Sequence, residues 1–227
     1  MEFVLYDNLQ DFKSDTLETL MEMKAQNTFM ISQMKAGGFS VKNGGEIVLV
    51  GLVDEQNKLM LFAVDNMINK AAIKFMIDRL DAAISSVYAE DFLAKAFAEE
   101  YGKPQKSTKP LRVYEATRIN PKVPKYPFRQ KDDCAYVLDV DSNEVSQLKV
   151  CDIKGDLICL DEIQTPPDFR KKGYASSLTA QVSQLYLDKG KTCILHTNPQ
   201  NTATNNIFKA IGYLPVCDFL EIEFRED

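Results

Sequence analysis

Two kinds of hydrophobic pattern alternate along the first half of the chain. Apolar residues recur at helical spacing in TLETLMEMKAQNTFMISQMKAGG, which predicts one or two helices over residues 12–36. The runs EIVLVGLV and LMLFAVD flank a polar DEQNK turn and predict a hairpin over residues 46–65. Two more helical patterns follow, at residues 66–84 and 92–102, and LRVYEATRI alternates like a strand. This half is therefore predicted to be rich in helix.

The second half opens with a predicted three-stranded meander. Its runs CAYVLDV, VSQLKV and LICLDEIQT lie within residues 134–165 and are separated by polar turns. A helical pattern follows from Ala175, then a short strand, TCILHT, and then a helix in TNNIFKAIGY with Thr204 and Gly212 as the expected caps. The alternating run VCDFLEIEF closes the chain. This order of elements predicts an α/β fold with a mixed sheet.

A proline-rich segment separates the two halves. INPKVPKYPFRQK, residues 119–131, contains three prolines and four cations, and proline both fixes φ and removes a backbone donor. We therefore predict a linker that its charge keeps solvated, with contact to nucleic acid as the weaker alternative. The predicted domains are residues 1–118 and 132–227.

Composition narrows the class of function. The chain has 227 residues, 45% of them hydrophobic, and a net charge of −6, which allows one or two packed domains and disfavours nucleic-acid binding. No run approaches ~18 consecutive apolar residues, and the N-terminus lacks the pattern of an export signal. We therefore expect a cytoplasmic protein that does not bind membranes. One histidine and five scattered cysteines without a CxxC pair predict no metal site.

The stretch TPPDFRKKGYA, residues 165–175, gathers cations and a glycine between a predicted strand and a predicted helix. A helix N-terminus exposes unpaired N–H groups and the positive end of the helix dipole, which suits a phosphate. Gly173 allows a ligand to approach the backbone closely, and Arg170, Lys171 and Lys172 add positive charge. From the residues alone two interpretations stay open, a solvated turn or a loop that holds an anion.

Two segments together resemble the GNAT superfamily of acyl-CoA-dependent N-acetyltransferases. The first superfamily motif is Arg or Gln, two residues, Gly, one residue, and Gly or Ala, which Arg170, Gly173 and Ala175 satisfy. The segment NPQNTATNNIFKAIGY is similar to the pattern Asn-x-x-Ser-Asn-x-x-Tyr-x-x-x-Gly-Phe/Tyr. Its matching residues are Asn201, Asn205, Gly212 and Tyr213, with Thr204 in place of the serine and Phe208 in place of the tyrosine. The resemblance covers residues 157–224 and implies a mixed sheet of GNAT type in the C-terminal half.

The resemblance implies that acetyl-CoA is the acyl donor. Its pyrophosphate would bind backbone N–H groups between Arg170 and Ser176. Its pantetheine arm would pair like an extra strand with Ile163 and Thr165, because that strand splays from TCILHT in the superfamily. The implied acetyl-CoA-binding residues are Ile163, Thr165, Arg170, Lys171, Lys172, Gly173, Tyr174, Ala175, Ser176, Asn201, Asn205 and Phe208. A primary amine of a small molecule or peptide would attack the thioester directly.

Direct attack needs a base for the amine and an acid for the departing thiolate. We predict Glu162 as the base, with Asp161 and His196 as alternatives, because Glu162 lies in the strand expected to carry the thioester. Phe208 stands where the superfamily has the tyrosine acid, and it has no hydroxyl. Water or another hydroxyl such as that of Tyr213 would protonate the thiolate, or the domain would bind acetyl-CoA without turnover.

The first half departs from the superfamily pattern. A complete GNAT fold places a strand and two helices before the meander, and the thirteen residues 121–133 are too few for two packed helices. The first half has helices and a hairpin but no Arg-x-x-Gly-x-Ala loop. Residues 1–118 are therefore predicted to be a helix-rich, degenerate GNAT-like unit, or the missing lid in permuted use.

Three functional hypotheses follow. The favoured one is an N-acetyltransferase whose catalytic domain is residues 132–227. The others are a non-catalytic acyl-CoA-binding module with a regulatory role, and an interaction protein whose basic turn binds nothing. The sequence leaves the acceptor amine open, and it does not decide between a monomer and a homodimer.

Overall fold

The structure is a computed structural model that describes residues 1–35, 37–64, 69–154 and 156–225. Internal contacts divide the chain into two compact units. Unit 1 comprises Met1–Leu111 and Cys217–Asp227, and unit 2 comprises Arg112–Val216. Each boundary falls inside a strand, in β6 (Gln105–Ala116) and in β12 (Leu214–Phe224).

Unit 1 contains a mixed sheet with helices packed against it. Its elements before β6 are β1 (Glu2–Leu5), α1 (Leu9–Glu22), α2 (Lys24–Gln33), β2 (Phe39–Asn43), β3 (Glu46–Val53), β4 (Lys58–Ala63), α3 (Lys70–Ile77), β5 (Ser86–Glu90) and α4 (Asp91–Tyr101). The strands lie in the order β1-β2-β3-β4-β5-β12. Neighbouring strands are antiparallel except β4 and β5, which are parallel.

The amphipathic helices of unit 1 form as their sequences predict. In α1 the Asn8 side chain accepts the N–H of Asp11 as an N-cap, and Phe12, Thr16 and Leu20 recur every four residues on the buried face. Helix α4 ends at Gly102, whose φ of 72° closes the last turn. The predicted helix pair, the hairpin β3–β4 and α4 are therefore confirmed.

Three strands of unit 1 were not predicted, and one helix is shorter than predicted. Strands β1, β2 and β5 have only four or five residues each, so their periodicity is weak and their pairing partners decide their conformation. The predicted helix over residues 66–84 appears as α3 alone, which ends at Ile77, and residues 65–68 lie outside the described residues.

Unit 2 is a second α/β unit with its own core. Its elements after β6 are β7 (Phe128–Gln130), β8 (Ala135–Val140), β9 (Asn143–Lys154), β10 (Leu157–Gln164), a 3-10 turn (Pro167–Phe169), α5 (Tyr174–Leu187), β11 (Thr192–Thr197) and α6 (Thr202–Ile211). The strands lie in the order β6-β11-β10-β9-β8-β7, and only β10 and β11 are parallel. The predicted meander, α5, β11 and α6 are confirmed, and the core joins Leu178 and Val182 of α5 to the sheet.

The proline-rich segment is attached to unit 2. The backbone N–H of Tyr126 donates to Ser177 Oγ at 3.0 Å, and Gln181 Nε2 donates to the Tyr126 carbonyl at 2.8 Å. The Tyr126 ring packs edge-on against Tyr174 with centroids 5.0 Å apart. The segment is therefore bound along α5 instead of being a solvated spacer, and it contributes the edge strand β7.

The C-terminal residues lie in unit 1. Phe219 to Glu223 of β12 pair antiparallel with β5, and Leu220, Ile222 and Phe224 join the core of unit 1. The chain therefore divides differently from the predicted ranges 1–118 and 132–227, because the partner of a C-terminal strand is set by long-range pairing. In the described part of the chain, every helix is too short or too polar to cross a membrane.

Burial of β12 predicts that its side chains stabilise unit 1. Ile222 is 1% exposed in this core. Ile222→Ala should lower the free energy of unfolding by about 2–5 kcal/mol, because it removes buried methyl groups and leaves a cavity. Urea denaturation followed by circular dichroism measures the change. Val216→Ala is the matched control, since Val216 is 41% exposed, and an equal loss in both variants would contradict the assignment.

Candidate functional site

The two parallel strands of unit 2 diverge at their C-terminal ends. Pairing of β10 with β11 runs from Leu157 opposite Thr192 to Leu160 opposite Leu195, although both strands continue beyond that point. We call the unpaired ends, residues 161–164 and 196–197, the strand gap. The register of β10 with β9 also shifts between Asp161 and Gln164.

A bulge in β10 accompanies the divergence. Glu162 has a φ of 48°, a left-handed conformation that regular strands do not contain. Its backbone N–H donates to Asp161 Oδ1 at 2.7 Å, which holds the bulge locally. The chain is thereby turned away from β11, and the edge of β10 becomes available to an extended ligand.

A basic loop connects β10 to α5, as predicted. The 3-10 turn precedes Arg170, and then Lys171 and Gly173 both adopt positive φ, of 61° and 82°. Helix α5 starts at Tyr174 without a side-chain cap. Added to Gly173, a Cβ would meet no atom within 4 Å, so the space in front of the loop is open.

The backbone donors of this loop have no acceptor among the residues that the structure describes. The first helical bond of α5 runs from Ser177 N to Gly173 O at 2.9 Å. Within the described chain, the N–H groups of residues 171–176 donate to no other group. Such N–H groups at the positive end of a helix dipole form an anion-binding site.

The cations of the loop take different roles. Arg170 Nε donates to the Thr165 carbonyl at 2.9 Å, so this guanidinium braces the loop. Lys172 Nζ lies 5.5 Å from the centre of the Phe169 ring, and Lys171 is exposed. Thr165 Oγ1 lies 3.0 Å from Ser146 Oγ of β9, a contact that no sequence pattern indicates.

The asparagines that begin α6 have structural partners. Asn201 Oδ1 accepts the N–H of Thr204 at 3.2 Å, so Asn201 is the N-cap and the predicted cap Thr204 is wrong. The predicted C-cap Gly212 is confirmed. Asn205 is buried and donates to the carbonyls of Asn198 and Asn201, while its Oδ1 accepts the Tyr114 hydroxyl at 2.8 Å. Its side chain therefore fixes the turn before α6, and its place among the acetyl-CoA-binding residues stays a prediction.

Phe208 lies in the core of unit 2. It is 4% exposed, and its ring packs against those of Tyr114 and Tyr213, with centroids 6.0 and 6.2 Å apart. The Tyr213 hydroxyl lies 2.7 Å from Ser183 Oγ, and burial raises the pKa of Tyr213 well above its ordinary value. The Tyr213 hydroxyl is therefore engaged with Ser183 inside the core.

The predicted base Glu162 is engaged in an ion pair. Lys149 Nζ of β9 lies 2.8 Å from its carboxylate, and both side chains are about half exposed (48% each). The ion pair neutralises the carboxylate and raises the pKa of Lys149 through the hydrogen bond.

His196 lies one residue beyond the last paired position of β11. Its Nδ1 is 3.7 Å from Cys159 Sγ of β10. Burial lowers the pKa of His196, although the nearby carboxylate of Asp161 opposes that shift. Burial also raises the pKa of Cys159 to about 12, so this thiol stays protonated. The sequence predicts Glu162 as the base and His196 only as an alternative, and no sequence pattern indicates a role for Cys159.

The parallel strands β4 and β5 of unit 1 also diverge, but side chains fill the space where they separate. Pairing of β4 with β5 ends at Met60 opposite Tyr88, while β4 continues to Ala63. The Tyr88 ring stacks on Phe219 of β12 at 4.9 Å, and the cavity beside them holds only about 10 Å³. Burial raises the pKa of Glu90 there, against the effect of its hydrogen bond from Gln26. Among the described residues, these rings occupy the place that corresponds to the strand gap.

Several solved structures with a similar fold are GNAT proteins. A GNAT-family acetyltransferase from Colwellia psychrerythraea is 10% identical, with a TM-score of 0.61 over 99% of this chain and 100% of that one. A GCN5-related N-acetyltransferase from Sphaerobacter thermophilus is 11% identical, with a TM-score of 0.61 over 99% and 96%. A tandem GNAT protein from the clavulanic acid biosynthesis pathway is 13% identical, with a TM-score of 0.57 over 100% and 99%.

The chain therefore has the GNAT fold, in a two-unit layout like that of the tandem GNAT protein. The family model described as FR47-like protein matches residues 143–218, which contain the strand gap and the basic loop. The resemblance to the GNAT superfamily is thus confirmed. No curated protein sequence matches the chain significantly. Among the described residues, no cluster of three or more His, Cys, Asp or Glu side chains could hold a metal ion.

The role found for Asn205 is testable by stability. Asn205→Ala removes the acceptor of a buried tyrosine hydroxyl and the donor to three carbonyls, and should cost about 1–3 kcal/mol of unfolding free energy. Asn206→Ala, at the exposed neighbouring position, is the control and should be nearly neutral. Thermal unfolding of both variants gives the comparison. Equal stability would show that the buried network does not hold the turn.

Proposed function

We propose that this protein is an N-acetyltransferase that moves an acetyl group from acetyl-CoA to a primary amine of a small molecule or peptide. The observation that carries the proposal is that, in the described chain, two candidate binding features, an unpaired strand edge and a loop with free N–H groups, follow each other in one segment. The unpaired edge of β10 leads directly into a loop whose N–H groups have no acceptor among the described residues. Acetyl-CoA has an extended arm of amides that ends in a pyrophosphate. This arm matches the order of backbone donors and acceptors along the segment.

Each part of the donor has a counterpart in this arrangement. The pyrophosphate would lie on the N–H groups of residues 171–176, with Lys171 and Lys172 adding charge and Arg170 bracing the loop. The pantetheine amides would pair with β10 at Ile163 and Thr165. Asn201 keeps its amide group for a ligand, because its cap uses only Oδ1. The thioester would then reach the strand gap.

The chemistry proposed is direct attack of the amine on the thioester. Holding both reactants in one gap supplies orientation, which converts a bimolecular step into an effectively unimolecular one. Glu162 is a poor candidate for the base, because its carboxylate is paired with Lys149. Glu162→Gln should therefore leave turnover within about threefold of the wild type, whereas loss of a positioned base typically costs about 10²–10⁴.

One observation favours the alternative of a non-catalytic acyl-CoA-binding module. The side chain at Phe208 has no hydroxyl, and the Tyr213 hydroxyl is engaged with Ser183. Protonation of the thiolate would then fall to water. A panel of amines assayed for free thiol release separates the two functions, because the module would bind acetyl-CoA and release none.

Binding of the donor is tested by a thermal-shift titration with acetyl-CoA. At a hundred times the dissociation constant, mass action should stabilise the protein by about 2.7 kcal/mol. Gly173→Val should abolish the shift, because its side chain occupies the space in front of the loop.

Gly190→Val is the matched control for that titration. Gly190 also has a positive φ, of 75°, close to the 82° of Gly173. A Cβ added to Gly190 would likewise meet no atom within 4 Å. Both variants carry similar backbone strain, of about 1–2 kcal/mol. Only Gly173→Val should lose the ligand. A full acetyl-CoA shift in Gly173→Val, or none in the wild type, would contradict the proposal.

A further inference from the structure

One histidine and one cysteine meet at the base of the strand gap. His196 is the only histidine in the chain, and its Nδ1 lies 3.7 Å from the Sγ of buried Cys159. Cys159 is the residue before Leu160, the last position at which β10 pairs with β11. The contact therefore joins the two strands just before they separate.

We infer that Cys159 is a positioning residue that holds His196 as the Nδ1–H tautomer, so that Nε2 accepts the proton of the acceptor amine. This inference rests on the proposed function, since the proton in question is that of the attacking amine. It assigns the role of the base to His196 on β11 instead of to Glu162 on β10.

The partners of the sulfur suit one direction of its hydrogen bonds. Cys159 Sγ lies 3.8 Å from the carbonyl oxygen of Leu160, which can only accept, and in the inferred arrangement the thiol donates its hydrogen there. The sulfur then accepts from His196, whose Nδ1 carries the hydrogen. A neutral imidazole with Nδ1–H has its lone pair on Nε2.

The second ring nitrogen is available. His196 Nε2 has no hydrogen-bond partner within the described residues. The ring as a whole is half-buried, and burial lowers its pKa. The imidazole is therefore neutral at neutral pH, as a proton acceptor must be.

Charged and titratable neighbours on this face of the sheet come from three strands. Register places them around His196: Cys159 and Asp161 on β10, Glu115 on β6, and Lys149 and Cys151 on β9. Asp161 favours the imidazolium, and it stabilises the positive charge that arises once the proton has been taken. Burial outweighs this effect in the resting state.

The step balances without a further reagent. As the amine nitrogen bonds to the acyl carbon, the C–S bond breaks and its electron pair leaves on the thiolate. The proton on nitrogen passes to His196 Nε2. The thiolate takes a proton from water, and the imidazolium returns its proton to the hydroxide so formed. The products are the amide and the free thiol.

Nitrogen-15 NMR of protein labelled at histidine tests the tautomer directly, since the chain has a single imidazole. At pH 8 the wild type should show a protonated Nδ1 and an unprotonated Nε2. Cys159→Ser keeps an acceptor and should retain this pattern. Cys159→Ala should revert to the Nε2–H form that free histidine prefers, and Cys151→Ala, at the position opposite on β9, should change nothing. An Nε2–H signal in the wild type would overturn the inference.

Kinetics test the catalytic part on any amine that turns over. His196→Gln should lower kcat by about 10²-fold or more while the acetyl-CoA thermal shift is unchanged. Cys159→Ala should lower kcat at constant KM, and Cys159→Ser should restore it. Unchanged kcat in His196→Gln would overturn the assignment of the base.

The two proposals fail in distinguishable ways. If acetyl-CoA does not bind, or no amine reacts, the proposed function is rejected and the catalytic role of His196 with it. The NMR result would still decide the Cys159–His196 arrangement. Acetyl transfer could occur while wild-type His196 carries its proton on Nε2, or while His196→Gln leaves kcat unchanged. Either result would reject only the present inference.

Discussion

The end of pairing between β10 and β11 is the constraint on which the rest of unit 2 depends. In a parallel pair the backbone groups that face the partner strand are normally bonded along its length, and here that pairing stops at Leu160 and Leu195. The bulge at Glu162 turns β10 away, at the cost of a left-handed conformation in a non-glycine residue. Beyond this bulge the chain enters the basic loop. The proposed binding edge and the proposed anion-binding loop thus both follow from one irregularity, and the candidate base His196 lies on the strand from which β10 separates.

The two units share a pair of diverging parallel strands but differ in what occupies the place where the strands separate. Both contain a parallel pair whose strands part, at Leu160 in unit 2 and at Met60 in unit 1. In unit 1 the stacked rings of Tyr88 and Phe219 fill the corresponding place. Apolar packing there contributes to stability, whereas the unpaired edge in unit 2 remains open to a ligand. The GNAT-like unit predicted for the first half is thus supported as a fold, with its gap closed.

Local chemistry was predictable from the sequence, and long-range pairing was not. The loop from Arg170 to Ser176 was placed correctly, because a glycine at a strand-to-helix junction is a local signal. The N-cap was misplaced by three residues, since Asn201 and Thr204 are both good caps and only the fold decides between them. Likewise β12 was placed in the second half, and the ion pair of Glu162 depends on a neighbouring strand.

Backbone amide hydrogen exchange with and without acetyl-CoA tests the central claim most directly, since that claim concerns unpaired N–H groups. Ligand should slow exchange at residues 161–165 and 171–176, where the proposed donor bonds the backbone, and leave β4 and β5 of unit 1 unchanged. Protection confined to these two segments is the predicted result. Unchanged exchange there at saturating acetyl-CoA, or protection centred on unit 1, would contradict the account.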